Sequence, residues 1–225
     1  MKKKFLLSVF VFFLCCECVI FEACSNKDQN NPNSTEINGS SVKNEFGAGR
    51  LLIGKWDASS GYVFCFKSDG DCYRDWYSGG AKVEGIWSYD SETKVLSTTV
   101  GSSYTMNLIS SQGLQGVSLG NGKGSSFKHS IGYVDNNDKL IVGKWRTKEG
   151  KELIFENNGN CTTGDSKGTY KIYRSNNKTT ISFDMDGNYN QSYTLRHLSG
   201  GLIMINPNDK NSTNIIGGEY YYTSE

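Results

Sequence analysis

The chain has no surplus of positive charge and very little proline, and both shortages limit what it can be. Among its 225 residues, 24 lysines and arginines face 23 aspartates and glutamates. A nucleic-acid partner requires a surplus of basic side chains that neutralise phosphates, so we expect no nucleic-acid binding. With only 2 prolines but 26 glycines and 13 tyrosines, the composition suits many short strands and turns better than a disordered chain.

The first 23 residues have the pattern of an export signal. Three lysines at positions 2–4 precede an apolar run, 5–14, which is too short to span a bilayer as a helix. Ala23 supplies a small residue before Cys24, where the composition turns abruptly polar. This arrangement resembles the lipobox of bacterial lipoproteins. The resemblance implies that Cys24 is lipidated and that the protein is attached to the membrane by this lipid, in the cell envelope and at the outer membrane. The alternative is an ordinary secretory signal that is cleaved after Ala23.

Residues 24–49 contain almost nothing apolar to bury and are predicted to be a flexible tether. Such a segment of about 25 residues reaches roughly 25–30 Å. Removal of the leader takes away three lysines and two glutamates, which leaves a mature chain without net charge.

The chain repeats itself after the tether. At an offset of 89 residues, Leu51–Cys72 aligns with Leu140–Cys161 without a gap. The two copies align again at 85–87 and 168–170, where the offset has changed by six residues. The first copy therefore carries a six-residue insertion, and the chain contains two tandem units.

The two units, 50–136 and 137–225, are each predicted to fold as an antiparallel β-meander. Phe64 and Phe66 alternate with other residues before a Ser-Asp-Gly turn, and similar segments continue as far as a predicted last strand of the first unit, Phe127–Val134. No window shows the spacing of an amphipathic helix. Seven or eight short strands in each unit favour a sheet that closes on itself. The predicted fold class is all-β, with two tandem up-and-down barrels.

Gly54-Lys55-Trp56 and Gly143-Lys144-Trp145 resemble the Gly-x-Trp signature of lipocalins. Together with the leader, they resemble the compact lipocalin-like domain lipoproteins of Gram-negative bacteria. The resemblance implies that Trp56 and Trp145 are structural plugs, each closing one end of a barrel. Each unit has about half the length of a typical lipocalin, so a barrel filled by its own side chains is the alternative to an open cavity.

Residues that occur in only one copy are not required by the shared fold. They are therefore the positions at which the function of the two copies can have diverged. The insertion of the first copy is predicted to contain Tyr73, Arg74, Asp75, Trp76 and Tyr77, which the second copy does not match. Large aromatic side chains beside an arginine can stack on a sugar or anchor a protein partner. We therefore predict a ligand or partner site there, with a hairpin extension packed on its own sheet as the alternative.

The sequence contains no catalytic, metal-binding or cofactor-binding motif. His129 and His197 have no Cys, Asp or Glu at the spacing of a zinc site, and solvated or capping roles are expected for them. Cys65, Cys72 and Cys161 lie beyond the leader. The sequence leaves open whether Cys65 and Cys72 form a disulfide across their hairpin or remain thiols.

These features predict a non-enzymatic, lipid-anchored envelope protein that serves as a binding or interaction module. Its partner would be a small apolar ligand, a glycan or a protein. The alternative is a structural or inhibitory protein that contacts another protein through strand edges and tyrosine-rich turns. An envelope hydrolase has the least support because no carboxylate pair, activated nucleophile or metal set is present.

Overall fold

A computed structural model describes residues 46–76, 80–176, 178–186, 189–207 and 216–223 of the chain. The predicted signal peptide, Cys24 and most of the predicted tether lie outside these residues. The described residues all belong to one compact unit.

The first repeat forms a closed antiparallel barrel of eight strands, here called barrel 1. A 3₁₀ helix, Gly47–Leu52, leads into it and includes the last residues of the predicted tether. The strands are β1 Gly54–Ala58, β2 Tyr62–Phe66, β3 Asp71–Trp76, β4 Val83–Asp90, β5 Val95–Thr98, β6 Tyr104–Ser110, β7 Gly113–Ser118 and β8 Gly124–His129.

The second repeat forms an equivalent closed barrel, barrel 2, after a second 3₁₀ helix at Asp138–Ile141. Its strands are β9 Gly143–Arg146, β10 Glu152–Phe155, β11 Asn160–Thr163, β12 Ser166–Ser175, β13 Lys178–Met185, β14 Tyr189–Leu198, β15 Leu202–Pro207 and β16 Gly218–Tyr222. The prediction of an all-β fold with two tandem antiparallel barrels is therefore confirmed.

The last strand of barrel 1 differs from its prediction. It was expected over Phe127–Val134, but β8 begins at Gly124 and ends at His129. Gly124 pairs with Val117, so the strand starts directly after the turn that follows β7. Residues beyond Ser130 leave the sheet and lead to barrel 2.

The pairing of β3 shows that two of the residues assigned to the insertion, Tyr73 and Arg74, do not belong to it. Cys72 pairs with Gly85, and Cys161 pairs with Gly168, so β3 and β11 are equivalent strands. Tyr73 and Arg74 consequently have positional counterparts in barrel 2. The extra residues of barrel 1 lie between Arg74 and Val83, a stretch that includes Trp76 at the end of β3.

The two tryptophans of the Gly-x-Trp motifs occupy the same position in the two barrels. Trp56 and Trp145 are fully buried. The Trp56 indole N–H donates to the Leu52 carbonyl at 2.8 Å, and the Trp145 indole N–H donates to the Ile141 carbonyl at 2.6 Å. Each indole thereby holds the preceding 3₁₀ helix against its end of the barrel.

The glycines of these motifs are required by both conformation and space. Gly54 and Gly143 have φ angles of 150° and 138°, which L side chains rarely adopt. A Cβ atom on Gly54 would lie 2.9 Å from the Ser199 Cβ, and one on Gly143 would lie 2.6 Å from the Tyr222 ring. The Gly-x-Trp pattern therefore combines a backbone requirement with a core side chain.

Arg50 joins the start of barrel 1 to barrel 2. Its side chain is 2% exposed, and its guanidinium lies 4.1 Å from the centroid of the Tyr222 ring. Its Nε donates to the Gly200 carbonyl at 3.2 Å, and an Nη donates to the Leu140 carbonyl. Burial lowers the pKa of Arg50 to about 10, a change that nearby Tyr222 opposes. A buried cation with these partners ties the two barrels together.

Two histidines extend this junction, and the expectation that both are solvated or capping is wrong for His197. His197 is fully buried, because it packs edge to face on His129 with ring centroids 5.5 Å apart. His129 stacks on Trp56 at 4.1 Å. Burial, and secondarily His129, lowers the pKa of His197 to about 3. Both His197 ring nitrogens lack a hydrogen-bond partner among the described residues.

Asp135 fixes the linker between the barrels. It is 2% exposed, and its carboxylate accepts hydrogen bonds from the Ser68 hydroxyl and the Tyr133 hydroxyl, each at 2.6 Å. It also accepts from the backbone N–H groups of Ser68 and Asn137. The linker is thereby attached to the hairpin between β2 and β3.

Candidate functional site

Barrel 1 is closed at the Trp56 end and open at the other. The open end encloses a cavity of about 440 Å³, within the roughly 300–1,000 Å³ typical of ligand pockets. Its lining consists of Ser59, Ser60, Tyr62, Phe64, Arg74, Ser102, Tyr104, Ser118, Asn121, Lys123, Gly124 and Ser125. We call this cavity the mouth of barrel 1.

The meander brings these side chains together from distant parts of the sequence. In an antiparallel barrel, alternate connections lie at the same end. The mouth is therefore formed by the β1–β2 turn, the end of β3, the β5–β6 connection and the β7–β8 turn. Arg74 projects inward from β3 because side chains alternate between faces and its neighbour two residues earlier, Cys72, is in the barrel core.

Tyr62, which lines the mouth, and Trp76, which packs on Tyr62 beside the lining, form an aromatic wall at the edge of the mouth. The Tyr62 and Trp76 rings lie 4.1 Å apart, and the Arg74 guanidinium lies 4.8 Å from the Tyr62 centroid. Trp76 remains 46% exposed although it packs on Tyr62. The wall therefore presents an accessible aromatic surface next to a positive charge.

Two cations line the mouth without a carboxylate to neutralise them. Among the described residues, neither Arg74 nor Lys123 forms an ion pair, and no lining residue is acidic. Burial raises the pKa of Tyr104 at the base of the mouth, against the effects of Arg74 and the Ser125 hydroxyl. The cavity thus combines uncompensated positive charge with neutral hydroxyl groups.

At the equivalent end of barrel 2, the described residues enclose a smaller cavity inside the barrel, and a more open hollow of about 390 Å³ lies at the rim between the β9–β10 turn and the start of β16. The smaller cavity measures about 80 Å³ and is lined by Thr163, Ser166, Phe183, Met185, Asp186, Gln191 and Ile216. The strand register aligns Thr163 with Arg74 and Ile216 with Lys123. Ile216 is buried, and its carbonyl accepts a hydrogen bond from the Tyr220 hydroxyl at 2.7 Å. Uncharged side chains, the hydroxyl-bearing Thr163 and the apolar Ile216, thus take the place of the cations in barrel 1.

The structure separates the four residues that the sequence grouped as a site. Arg74 lines the mouth and Trp76 packs on Tyr62 at its edge, whereas Tyr73 projects from the opposite face of β3. There the Tyr73 ring lies 4.4 Å from the Lys82 ammonium group. Burial, followed by the effect of Cys65, raises the Tyr73 pKa. Tyr77 lies outside the described residues.

Sequence reasoning missed most of the lining. Tyr62, Ser118 and Lys123 gave no signal because short polar turns between strands look alike in a single sequence. The turn between β7 and β8 contributes Asn121 and Lys123 to the cavity, and this contribution follows only from barrel closure.

Little reactive chemistry lies elsewhere in the part of the chain that the structure describes. No group of three or more His, Cys, Asp or Glu side chains there could hold a metal ion. Cys65, Cys72 and Cys161 are buried free thiols. Cys65 pairs with Tyr73 and Phe66 pairs with Cys72, so the two cysteines of the hairpin project from opposite faces. Burial raises the pKa of Cys161 to about 12, which makes it a poor nucleophile.

The described segments include two helices, both short 3₁₀ turns, and no helix with the length and apolar character of a membrane span.

Comparison with known proteins identifies no relative. No protein-family model matches the chain, and neither the curated proteins nor the solved structures include a match.

Proposed function

We propose that the protein is a non-enzymatic binding module whose ligand occupies the mouth of barrel 1. The observation that carries the proposal is the cavity of about 440 Å³ inside the mouth of barrel 1, where the described residues inside the equivalent end of barrel 2 enclose about 80 Å³. Since the two barrels share their fold, the fold does not require the open end. A larger cavity with inward-facing charged groups is what a ligand site needs.

Barrel closure favours this site over binding at a strand edge. In both barrels every strand pairs with two neighbours, and the first strand pairs with the last. A partner that adds a strand requires an unpaired edge, which the described strands of these sheets do not offer. The end of the barrel is therefore the better candidate for recognition.

We also propose that the module is attached to the cell envelope through a lipid on Cys24, with residues 24–45 as a spacer. The support is the leader, with its short apolar run and the small residue before Cys24. Intact-mass analysis of the wild-type protein and of Cys24→Ala tests it. A wild-type mass without an acyl modification would overturn the anchor and leave the ligand site unaffected.

A fragment screen read by backbone-amide NMR tests the ligand site. We expect bound fragments to shift amides of the mouth, at 59–62, 102–104 and 118–125. Ser118→Phe should abolish these shifts, because Ser118 is buried in the lining and a phenyl ring there fills the cavity. Ser126→Phe is the matched control, since Ser126 is exposed on β8. Fragments that bind Ser118→Phe as well as wild type would contradict the proposal.

A further inference from the structure

We infer that the mouth of barrel 1 binds a small acidic carbohydrate, that is, a sugar that carries a carboxylate. The inference rests on the proposed ligand site and names the class of ligand that its lining suits. The charge, the aromatic wall and the hydroxyl groups of the mouth each support it.

The positive charge of the mouth favours an anionic ligand. Arg74 and Lys123 line the cavity, and neither pairs with a carboxylate among the described residues. A guanidinium can donate two parallel hydrogen bonds to a carboxylate, and such charge-assisted bonds are stronger than neutral ones. Arg74 is already oriented by its contact with the Tyr62 ring. A bound carboxylate would therefore meet a cation held in position.

The aromatic wall calls for a ligand body with a flat, weakly polar face. Trp76 and Tyr62 are in contact at 4.1 Å, and nearly half of Trp76 is still accessible. An exposed aromatic face buries area at little entropic cost because its side chain is stiff. The C–H face of a sugar ring fits such a surface, whereas a bare inorganic anion gains nothing from it.

The remaining lining calls for a hydroxylated ligand rather than an apolar one. Serines 59, 60, 102, 118 and 125 contribute five hydroxyl groups, and Phe64 is the one lining residue with a purely hydrocarbon side chain. Hydroxyls both donate and accept hydrogen bonds, as sugar hydroxyls do. An apolar ligand would displace water from these groups without replacing its hydrogen bonds. Of the partners expected from the sequence, the lining therefore favours a glycan.

Amide NMR titrations with D-glucuronate, D-glucose and inorganic phosphate test the inference. We expect glucuronate to shift the mouth amides. Its affinity should be about tenfold or more higher than that of glucose or of phosphate. Arg74→Gln should weaken glucuronate binding about tenfold or more, and Lys123→Gln should weaken it in the same direction. Lys128→Gln is the control, because it removes an equal charge from an exposed position on β8.

The outcomes separate the ligand class from the site. If glucose or phosphate binds at the mouth as tightly as glucuronate, the inference of an acidic carbohydrate is wrong, and the proposed ligand site is unaffected. If Lys123→Gln, which changes an exposed side chain, and Arg74→Gln both bind glucuronate like wild type, the charge argument is wrong. If none of the three probes shifts the mouth amides while screened fragments do, only the inferred ligand class is wrong. If neither the probes nor the fragments shift these amides, the proposed ligand site is wrong as well.

Discussion

Barrels 1 and 2 share one end and differ at the other. At the shared end, Trp56 and Trp145 are buried and make the same hydrogen bond to the carbonyl four residues earlier. At the other end, barrel 1 has a cation-lined cavity, and barrel 2 has Thr163 and Ile216 over a small residual space. Residues that are the same at equivalent positions of the two barrels are therefore those that the fold requires. Residues that differ mark the end at which the two copies have diverged.

The largest expected effect comes from truncation of the shared plugs. Trp145→Ala should cost about 3–5 kcal/mol of unfolding free energy, because it leaves a large cavity in the core of barrel 2. Trp56→Ala should cost a similar amount in barrel 1. Hydrogen exchange on each variant should show the greater loss of protection in the barrel that carries the change. Equal loss in both barrels from either variant would mean that the barrels unfold as one cooperative unit.

The next effect concerns the junction, where Gly200 touches the backbone of Arg50. A Cβ atom at Gly200 would lie 1.6 Å from the Arg50 carbonyl oxygen, so the two chain segments must separate. We expect Gly200→Ala to cost about 1–3 kcal/mol, as overpacking does, and to expose amides around Arg50 to hydrogen exchange.

Gly124→Ala is the control for this variant. A Cβ atom at Gly124 would meet nothing within 4 Å, so this substitution adds the same methyl group without a clash. If the two alanine variants were equally stable, the close approach at Gly200 would not hold the barrels together.

The buried histidine of the junction has almost no effect at pH 7 and an effect that grows as the pH falls. The pKa of His197 is about 3 in the fold and about 6.5 in an unfolded chain. Between these values the unfolded chain binds a proton that the folded protein lacks, so unfolding free energy falls with falling pH, by about 1.4 kcal/mol per pH unit at most. His197→Phe keeps a ring against His129 and removes this titration.

Urea unfolding of wild type and His197→Phe between pH 7 and pH 4 measures this difference. We expect the variant to lose less stability on acidification than wild type, with a remaining slope that includes His129, whose pKa is also lowered by burial. Identical slopes for the two proteins would show that His197 does not contribute to the acid sensitivity of the fold.

The fold was predictable because its signals are local and occur twice. Gly-Lys-Trp, the alternating large apolar residues of β2 and β10, and the turns of the hairpins each appear in both copies, and the structure gives both copies the same strand order. The site was only partly predictable. Arg74 and Trp76 stood out because of their residue types. Tyr73 lies on the other face of the sheet, because successive side chains of a strand point to opposite faces.

The rest of the site depends on closure and therefore could not be derived from single segments. Ser118 and Lys123 belong to a turn between β7 and β8, and they reach Arg74 only because β8 closes the barrel on β1. The junction was hidden for the same reason. Arg50 precedes the first strand, yet its partners Leu140 and Gly200 are 90 and 150 residues away.

The central claim, that the mouth of barrel 1 binds ligand and the equivalent end of barrel 2 does not, is tested most directly by a crystal structure of the protein soaked with D-glucuronate. The account predicts one sugar in barrel 1, with its carboxylate on Arg74 and its ring against Tyr62 and Trp76, and no sugar at Thr163 and Ile216. A sugar bound at the end of barrel 2, or a mouth of barrel 1 filled by its own side chains, would contradict the account.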